Sequence, residues 1–300
     1  MTALYFSERE QGLPPRNQEQ VSELAWGGIV AIVRSLLNNE AFGAEFPANC
    51  PDGRGCSGVD EESFRLTLQS EIRGLKWPLD ATEIPPILTV MNFIEFCHRY
   101  VGKPNTYDYH SYFGHYHYHY HRQEGQIDFR EKINLLFERH GLAYELKDSG
   151  QVIRLIPFAF QENLMSIFQT GDHHLDEMLE TAKTKYLSPN LKSRYEALEK
   201  LWDAWERLKT IEPAVDKKNS VRILLDKAST EPNFRQLLEN EAKELTAIGN
   251  NFMIRHSEIT KIPITSSHQV DYLFQRILAM VHLLLSARGN MKANDEDLPF

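Results

Sequence analysis

Near the end of the chain, one short polar segment carries the residue types that cleave RNA without a metal. The segment covers 248–258 and contains His256, with Arg255 beside it and Glu258 two positions later. Metal-free cleavage needs one group to take the proton of the 2′-hydroxyl and another to protonate the leaving 5′-oxygen, and histidine titrates in the right range. Arginine presents a planar fork to two phosphate oxygens. His256 is therefore the candidate acid and base, and Arg255 the candidate phosphate ligand.

Helical geometry adds further residues to this candidate site. On a continuing helix, Asn251, Arg255 and Glu258 share one side and meet His256 near its edge. We assign phosphate positioning to Asn250 and Asn251 together with Arg255, and orientation of His256 to Glu258. The same residue types also fit a purely structural role, in which Arg255 and Glu258 form a solvated ion pair and His256 caps a helix or packs in the core.

A second group of potential ligands is the histidine–tyrosine run at 108–121. As an extended strand, this run places histidines on one face and tyrosines on the other. The histidines that share the face are His115, His117, His119 and His121. Imidazoles suit zinc, copper or nickel, but no cysteine or carboxylate at typical sequence spacing completes a tetrahedral site. We therefore favour a solvent-facing aromatic stretch that contacts water, RNA or protein, and predict neither a metal nor another cofactor.

The residues after Gly171 form a helical pattern that must position the 248–258 segment. Three apolar stripes recur at helical spacing. They comprise Leu198, Leu201, Trp202, Trp205 and Leu208; Phe234, Leu237, Leu238, Leu245, Ile248 and Phe252; and Val270, Leu273, Phe274, Ile277, Leu278, Val281, Leu284 and Leu285. With a shorter helix at 175–186, the stripes predict a bundle of four or five helices.

The first half of the chain mixes helical patterns with turn-rich segments. The predicted helices cover 18–37, 128–140 and a segment opened by the proline pair 85–86. Alternating residues at 144–146 and 152–156, around an Asp-Ser-Gly turn, predict a hairpin. The Gly- and Pro-rich stretch 43–57 predicts a loop without regular structure. Helix 128–140 and the hairpin resemble the end of a winged-helix unit, which we interpret as an interaction scaffold because no basic recognition helix is present.

Composition limits the classes of protein to which this chain can belong. Over 300 residues, 42% hydrophobic and 11% aromatic content favours a globular chain of two domains. A formal net charge of −9 argues against broad attraction to nucleic acid, so an RNA substrate requires a local basic patch. Cys50, Cys56 and Cys97 lack CxxC spacing and are expected to be free thiols. Without a secretory signal or an apolar run of membrane length, we expect a cytoplasmic protein with no membrane partner.

Two regions resemble known families. The C-terminal region, 172–285, resembles the HEPN domains of abortive-infection proteins through EALEKLWDAWERLK at 196–209, LTAIGNNFMIRHSE at 245–258 and DYLFQRIL at 271–278. The N-terminal region is similar to one class of N-terminal domain in AbiJ-like proteins. That similarity comprises FSER at 6–9, YHSYFGH at 109–115, and the Ile-Asn pair at 133–134 ahead of GLAYEL at 141–146.

The HEPN resemblance implies a metal-independent, toxin-like endoribonuclease that acts in antiphage defence. The family signature is an arginine, usually followed by asparagine, then four to six residues and a histidine. His256 and Asn250 match it, but Gly249 occupies the arginine position, so either Arg255 substitutes from the next turn or catalysis is lost. Two bundles commonly pair around one groove in this family, which implies a homodimer.

These observations combine into one prediction of fold and function. We expect a mainly α chain with an N-terminal α+β domain that contains a helix–hairpin unit (1–165), a C-terminal four- to five-helix HEPN-like bundle (170–288) and a flexible tail (289–300). The N-terminal domain is expected to sense an infection signal, with an antitoxin or a phage-derived trigger as possible partners. The alternative is a non-catalytic module that binds RNA or protein through a degenerate HEPN site.

Overall fold

The computed structural model describes residues 4–156, 158–254 and 261–292. Helices make up 56% of the structure, which confirms the mainly α prediction. The chain divides into two compact units, Met1–Leu155 and Ile156–Phe300. The sequence had placed this division at about 165–170.

Unit 1 combines helices with three two-stranded antiparallel sheets. Its described elements are α1 (Phe6–Gln11), α2 (Glu23–Asn38), β1 (Pro47–Asn49), β2 (Cys56–Val59), α3 (Glu61–Glu71), α4 (Ile87–Tyr100), β3 (Lys103–His110), β4 (His115–His121), α5 (Arg122–Arg139), β5 (Tyr144–Leu146) and β6 (Val152–Arg154). The strands pair as β1–β2, β3–β4 and β5–β6.

Helix α2 shows how local sequence and packing agree in unit 1. The hydroxyl of Ser22 accepts a hydrogen bond from the backbone N–H of Ala25, which caps the helix. Its apolar face, including Trp26 and Ile29, is buried in the core of the unit. Helix α4 begins after Pro86 as predicted. Helix α5 begins at Arg122, six residues before the predicted start, because β4 leads directly into it.

The hairpins only partly follow the sequence prediction. The predicted hairpin is confirmed, with Tyr144 opposite Arg154 and Leu146 opposite Val152. The prediction that 43–57 lacks regular structure was wrong, because β1 and the start of β2 lie within it. Turn-forming residues do make the turn between these strands, but the flanking residues pair across it. That pairing depends on partners distant in sequence, such as the Glu40 carboxylate, which accepts a hydrogen bond from the Val59 N–H.

Unit 2 is a helical bundle with one short pair of strands. Its described elements are α6 (Phe158–Met165), β7 (Ile167–Phe168), α7 (His173–Tyr186), α8 (Leu191–Leu208), α9 (Lys217–Ala228), α10 (Pro232–Asn251), α11 (Ser267–Arg288) and β8 (Met291–Lys292). Strand β8, within the predicted tail, pairs with β7. Helices α7–α11 account for the predicted bundle, and its likeness to HEPN domains stays a prediction.

Helix α11 forms the centre of the bundle. The ring of Phe274 stacks on Tyr186 of α7, with ring centroids 3.9 Å apart. Asp271 pairs with the buried guanidinium of Arg194 on α8 at 3.2 Å. By length and composition α11 is apolar enough to cross a membrane, but half of its most apolar window is buried inside the protein. Such burial is typical of the core helix of a bundle.

Candidate functional site

Four potential metal ligands lie together in unit 1: Cys50, His110, His115 and His117. One ligand atom of each lies within 4.8 Å of those of the other three. Cys50 directly follows β1, His110 ends β3, and the other two histidines belong to β4. We refer to these four residues as the cysteine–histidine cluster.

The sulfur of Cys50 lies close to two of the histidines in the cluster. It lies 3.4 Å from Nδ1 of His110 and 3.2 Å from Nε2 of His115. The ring of His117 lies near both of these rings, with its centroid 5.7 Å from that of His110 and 5.2 Å from that of His115. A sulfur and three imidazoles therefore converge on one small volume.

His117 is the buried member of the cluster and has unusual surroundings. Its side chain is 0% exposed, and neither ring nitrogen has a hydrogen-bond partner among the residues that the structure describes. The carboxylate of Asp108 lies 3.4 Å from Nδ1, but not in hydrogen-bonding geometry. Burying a polar atom without a partner costs about 1–3 kcal/mol, so this arrangement needs a compensating interaction.

The surroundings of Cys50 raise the pKa of its thiol. Burial raises the pKa of the Cys50 thiol, and a hydrogen bond with the carboxylate of Asp52 raises it further. The same hydrogen bond lowers the pKa of Asp52. The Asp52 carboxylate also lies 3.3 Å from Nδ1 of His110, so one carboxylate contacts two members of the cluster.

The cluster differs from the set of histidines that the sequence singled out. His119 is exposed and stacks on Tyr107, with ring centroids 4.0 Å apart, while His121 is exposed and occupies the N-cap position of α5 without a side-chain hydrogen bond to the helix. The solvent-facing interpretation fits these two residues but is wrong for His117. The sequence pattern does not link a cysteine to these histidines, because Cys50 precedes His110 by 60 residues. The only local signal was a cysteine within a tight turn.

In unit 2, the predicted site falls partly outside the described residues. Arg255, His256 and Glu258 all lie in the gap between 254 and 261. Asn250 and Asn251 are described, and they are the last two residues of α10, both exposed. Their amide groups are therefore accessible at the end of the helix.

The residues on either side of this gap are held together by backbone hydrogen bonds. The N–H of Ile262 donates to the carbonyl of Asn251 at 2.9 Å, and the N–H of Met253 donates to the carbonyl of Ile262 at 2.9 Å. The ammonium group of Lys261 donates to the carbonyl of Asn250. The described residues on both sides of the gap thus lie beside the exposed end of α10.

Gly249 occupies a position where a side chain has no room. A Cβ atom at this residue would lie 2.1 Å from Cζ2 of Trp202 on α8, far inside van der Waals contact. Trp202 is itself buried in the core of unit 2. A larger side chain at position 249 would therefore require the indole ring or the helix to move.

A basic groove of about 580 Å³ lies in unit 2 along α9 and α10. The charged residues that line it are Lys209, Lys217, Lys218, Arg222, Arg235, Lys243 and the single acid Glu239. Several of the cations form ion pairs, such as Lys243 with Glu239 and Arg235 with Asp226. Five of the six lining cations pair with Glu206, Asp226 or Glu239, so six cations against these three acids leave a modest excess of positive charge on a chain whose net charge is −9.

Comparison with known families identifies the N-terminal part of the chain. A sequence model of AbiJ N-terminal domain 4 matches residues 4–170, more than half of the chain. The chain belongs to the AbiJ N-terminal domain 4 family. This assignment confirms the AbiJ part of the resemblance and points to abortive-infection defence. No curated protein and no solved structure gives a significant match.

Residues that carried the AbiJ resemblance make structural contacts within this domain. Asn134 on α5 donates to the carbonyl of Leu146 at 2.9 Å and accepts from the N–H of the same residue at 2.8 Å, which fixes β5 against the helix. The carboxylate of Glu8 on α1 accepts from the guanidinium of Arg139 at 2.6 Å. The AbiJ match also includes all four members of the cysteine–histidine cluster.

Proposed function

We propose that this protein acts in abortive-infection defence and that its helical unit 2 cuts RNA without a metal. The AbiJ N-terminal domain supports the defence role. The observation that carries the nuclease proposal is the basic groove, because it supplies the local positive surface that an acidic chain needs in order to meet RNA.

The groove runs toward the C-terminal end of α10, which precedes residues 255–258 in the sequence. Glu239, Lys243 and Thr246 line the groove, and on a helix Asn250 follows Thr246 by one turn on the same face. At 1.5 Å per residue, Thr246 lies only about 6 Å along the axis from Asn250. An RNA backbone in the groove is therefore directed toward the end of α10, where the segment with His256 begins.

In the proposed reaction, the phosphodiester rearranges internally. His256 takes the proton of the 2′-hydroxyl, the 2′-oxygen attacks phosphorus, and the bond to the 5′-oxygen breaks as that oxygen accepts the proton from His256. Arg255 holds the phosphate oxygens as negative charge builds, and Asn250 and Asn251 position the phosphate. Glu258 orients His256. The products are a 2′,3′-cyclic phosphate and a 5′-hydroxyl end, and no metal takes part.

Replacement of His256 by alanine tests this proposal. We expect His256→Ala to abolish both the cleavage of bulk RNA, with EDTA present during the reaction, and the toxicity of the protein in cells. General acid and base groups contribute about 10²- to 10⁴-fold, so the loss should be at least 100-fold. His268→Ala is the matched control, because His268 is exposed in the first turn of α11. Unchanged cleavage or toxicity in His256→Ala excludes this residue from the chemistry.

The packing of Gly249 favours a second candidate, a non-catalytic module that binds RNA or protein. Trp202 fills the space that the signature arginine would need, as expected for a site that has lost its chemistry. The two candidates differ in a simple assay with purified protein, labelled RNA and EDTA. Cuts in the RNA favour the nuclease, whereas retention of intact RNA favours the binding module.

The proposal also includes the oligomeric state of the protein and its location in the cell. A homodimer would bring two copies of the segment to one groove and supply each group twice. We place the protein in the cytoplasm, where RNA is accessible, with an antitoxin or a phage-derived trigger that controls it.

A further inference from the structure

The cysteine–histidine cluster has the composition and geometry of a metal site. We propose that Cys50, His110, His115 and His117 together bind one Zn²⁺ ion in unit 1. Their four ligand atoms lie within 4.8 Å of one another, although Cys50 and the histidines come from different hairpins. This proposal is independent of the nuclease chemistry in unit 2.

The distances between ligand atoms approach those of a tetrahedral zinc site. Zn–S bonds of about 2.3 Å and Zn–N bonds of about 2.0–2.1 Å, at tetrahedral angles, place sulfur and nitrogen about 3.6 Å apart. The sulfur of Cys50 lies 3.4 Å from the His110 nitrogen and 3.2 Å from the His115 nitrogen. These two distances differ from the tetrahedral value by about 0.2 and 0.4 Å.

His117 provides the second, independent observation. A wholly buried imidazole without hydrogen bonds on either nitrogen is costly, and coordination of one nitrogen to a cation removes that cost. Asp108 lies near Nδ1 of this ring at 3.4 Å. We therefore expect Nε2 to bind the metal while Nδ1–H turns to the Asp108 carboxylate, an arrangement typical of zinc-bound histidines.

The donor set suits zinc and excludes the ions that prefer oxygen ligands. One sulfur and three imidazole nitrogens exclude Mg²⁺ and Ca²⁺, which prefer oxygen ligands. Binding converts the Cys50 thiol to a thiolate and releases its proton to solvent, since only the thiolate is a ligand. The ion and the thiolate leave one net positive charge, which the carboxylates of Asp52 and Asp108 offset. Because the protein supplies all four ligands, the site is of the structural rather than the catalytic type.

A zinc ion at this site would stabilise the two hairpins that carry its ligands. Two-stranded hairpins are marginally stable alone, and the pairs β1–β2 and β3–β4 are each two-stranded. Zinc would join the turn that follows β1 to both strands of the second hairpin. It would also hold in place the exposed aromatic tip of that hairpin, including Tyr112 and Phe113.

Metal binding by the untagged full chain tests the proposal. We expect the purified protein to contain one zinc per chain and the apoprotein to bind Zn²⁺ with one-to-one stoichiometry in competition with a chromophoric chelator. Replacement by Co²⁺ should give a sulfur-to-cobalt charge-transfer band together with the strong visible bands of tetrahedral cobalt. Absence of stoichiometric binding, or a cobalt spectrum without the sulfur band, overturns the proposal.

Matched variants identify the ligands. Cys50→Ser should abolish the charge-transfer band, and His117→Gln should weaken Zn²⁺ binding by more than the roughly 10- to 100-fold lost when an outer hydrogen-bonding partner is removed. Cys56→Ser and His119→Gln are the controls, because both residues lie in the same two hairpins but outside the cluster. Binding that weakens as much in His119→Gln as in His117→Gln contradicts the assignment. If a variant fails to fold, the cobalt spectrum of the wild-type protein still tests whether a cysteine sulfur binds the metal.

Discussion

The contact between Gly249 and Trp202 makes a quantitative prediction about the stability of unit 2. A Cβ added at Gly249 would lie 2.1, 2.2 and 2.4 Å from three atoms of the indole ring. Ordinary carbon contacts are about 3.5–4.0 Å, so the ring or the helix must move by more than an ångström. Because Trp202 is 3% exposed and packed on all sides, that movement disturbs the core.

The magnitude follows from two opposing effects of Gly249→Ala. Overpacking a core costs about 1–3 kcal/mol. Alanine gains up to about 1 kcal/mol over glycine in a helix interior, but Gly249 lies in the last turn of α10, where the gain is smaller. We expect Gly249→Ala to lower the free energy of unfolding of unit 2 by about 1–2 kcal/mol.

A double-mutant cycle separates the two effects. Trp202→Leu removes the indole ring, so Gly249→Ala in that background should show only the helix-propensity gain and become neutral or stabilising. The measurement is urea unfolding followed by pulsed hydrogen–deuterium exchange and mass spectrometry, which reports on each unit separately. Asn250→Ala, at the exposed neighbouring position, is the control and should change stability by less than about 0.5 kcal/mol.

The same reasoning predicts the effect of an arginine at position 249. Gly249→Arg should disrupt unit 2 more than Gly249→Ala does, without any gain in RNA cleavage. If Gly249→Ala is equally destabilising with and without the Trp202 ring, the contact is not the cause. A folded Gly249→Arg variant that cuts RNA faster would refute the packing argument outright.

Two further predictions concern the groove and the AbiJ domain. Lys218 lines the groove, so Lys218→Glu should weaken RNA binding and lower the slope of log affinity against log salt by about 0.7 in filter-binding titrations. Lys192→Glu is the control, because Lys192 lies at the far end of α8. It carries the same charge change and should leave the slope unaltered. Asn134→Ala removes both hydrogen bonds to buried Leu146 and should cost unit 1 about 2–4 kcal/mol in urea unfolding. Exposed Asn105 on β3 is the control, and an equal loss in Asn105→Ala would show that the Leu146 contacts are not responsible.

Much of the helical architecture could be predicted from local pattern. The stripe at Val270–Leu285 predicted α11, and every member of that stripe is buried. Helix α3 was missed, although Asp60 caps it and Phe64 is buried, because only two of its residues are buried and its apolar pattern is short. Short amphipathic segments of this kind depend on a core that other elements build.

The sequence by itself determined the helical bundle, the β5–β6 hairpin and the alternation of histidine and tyrosine in β4, because helices and strands follow periodicities of a few residues. Only the tertiary structure decided which histidines join Cys50, why Gly249 faces Trp202, and that the cations of α9 and α10 line one groove. Each of these depends on contacts between residues tens of positions apart. Local spacing does not predict such contacts, because they depend on how whole helices and strands pack against one another.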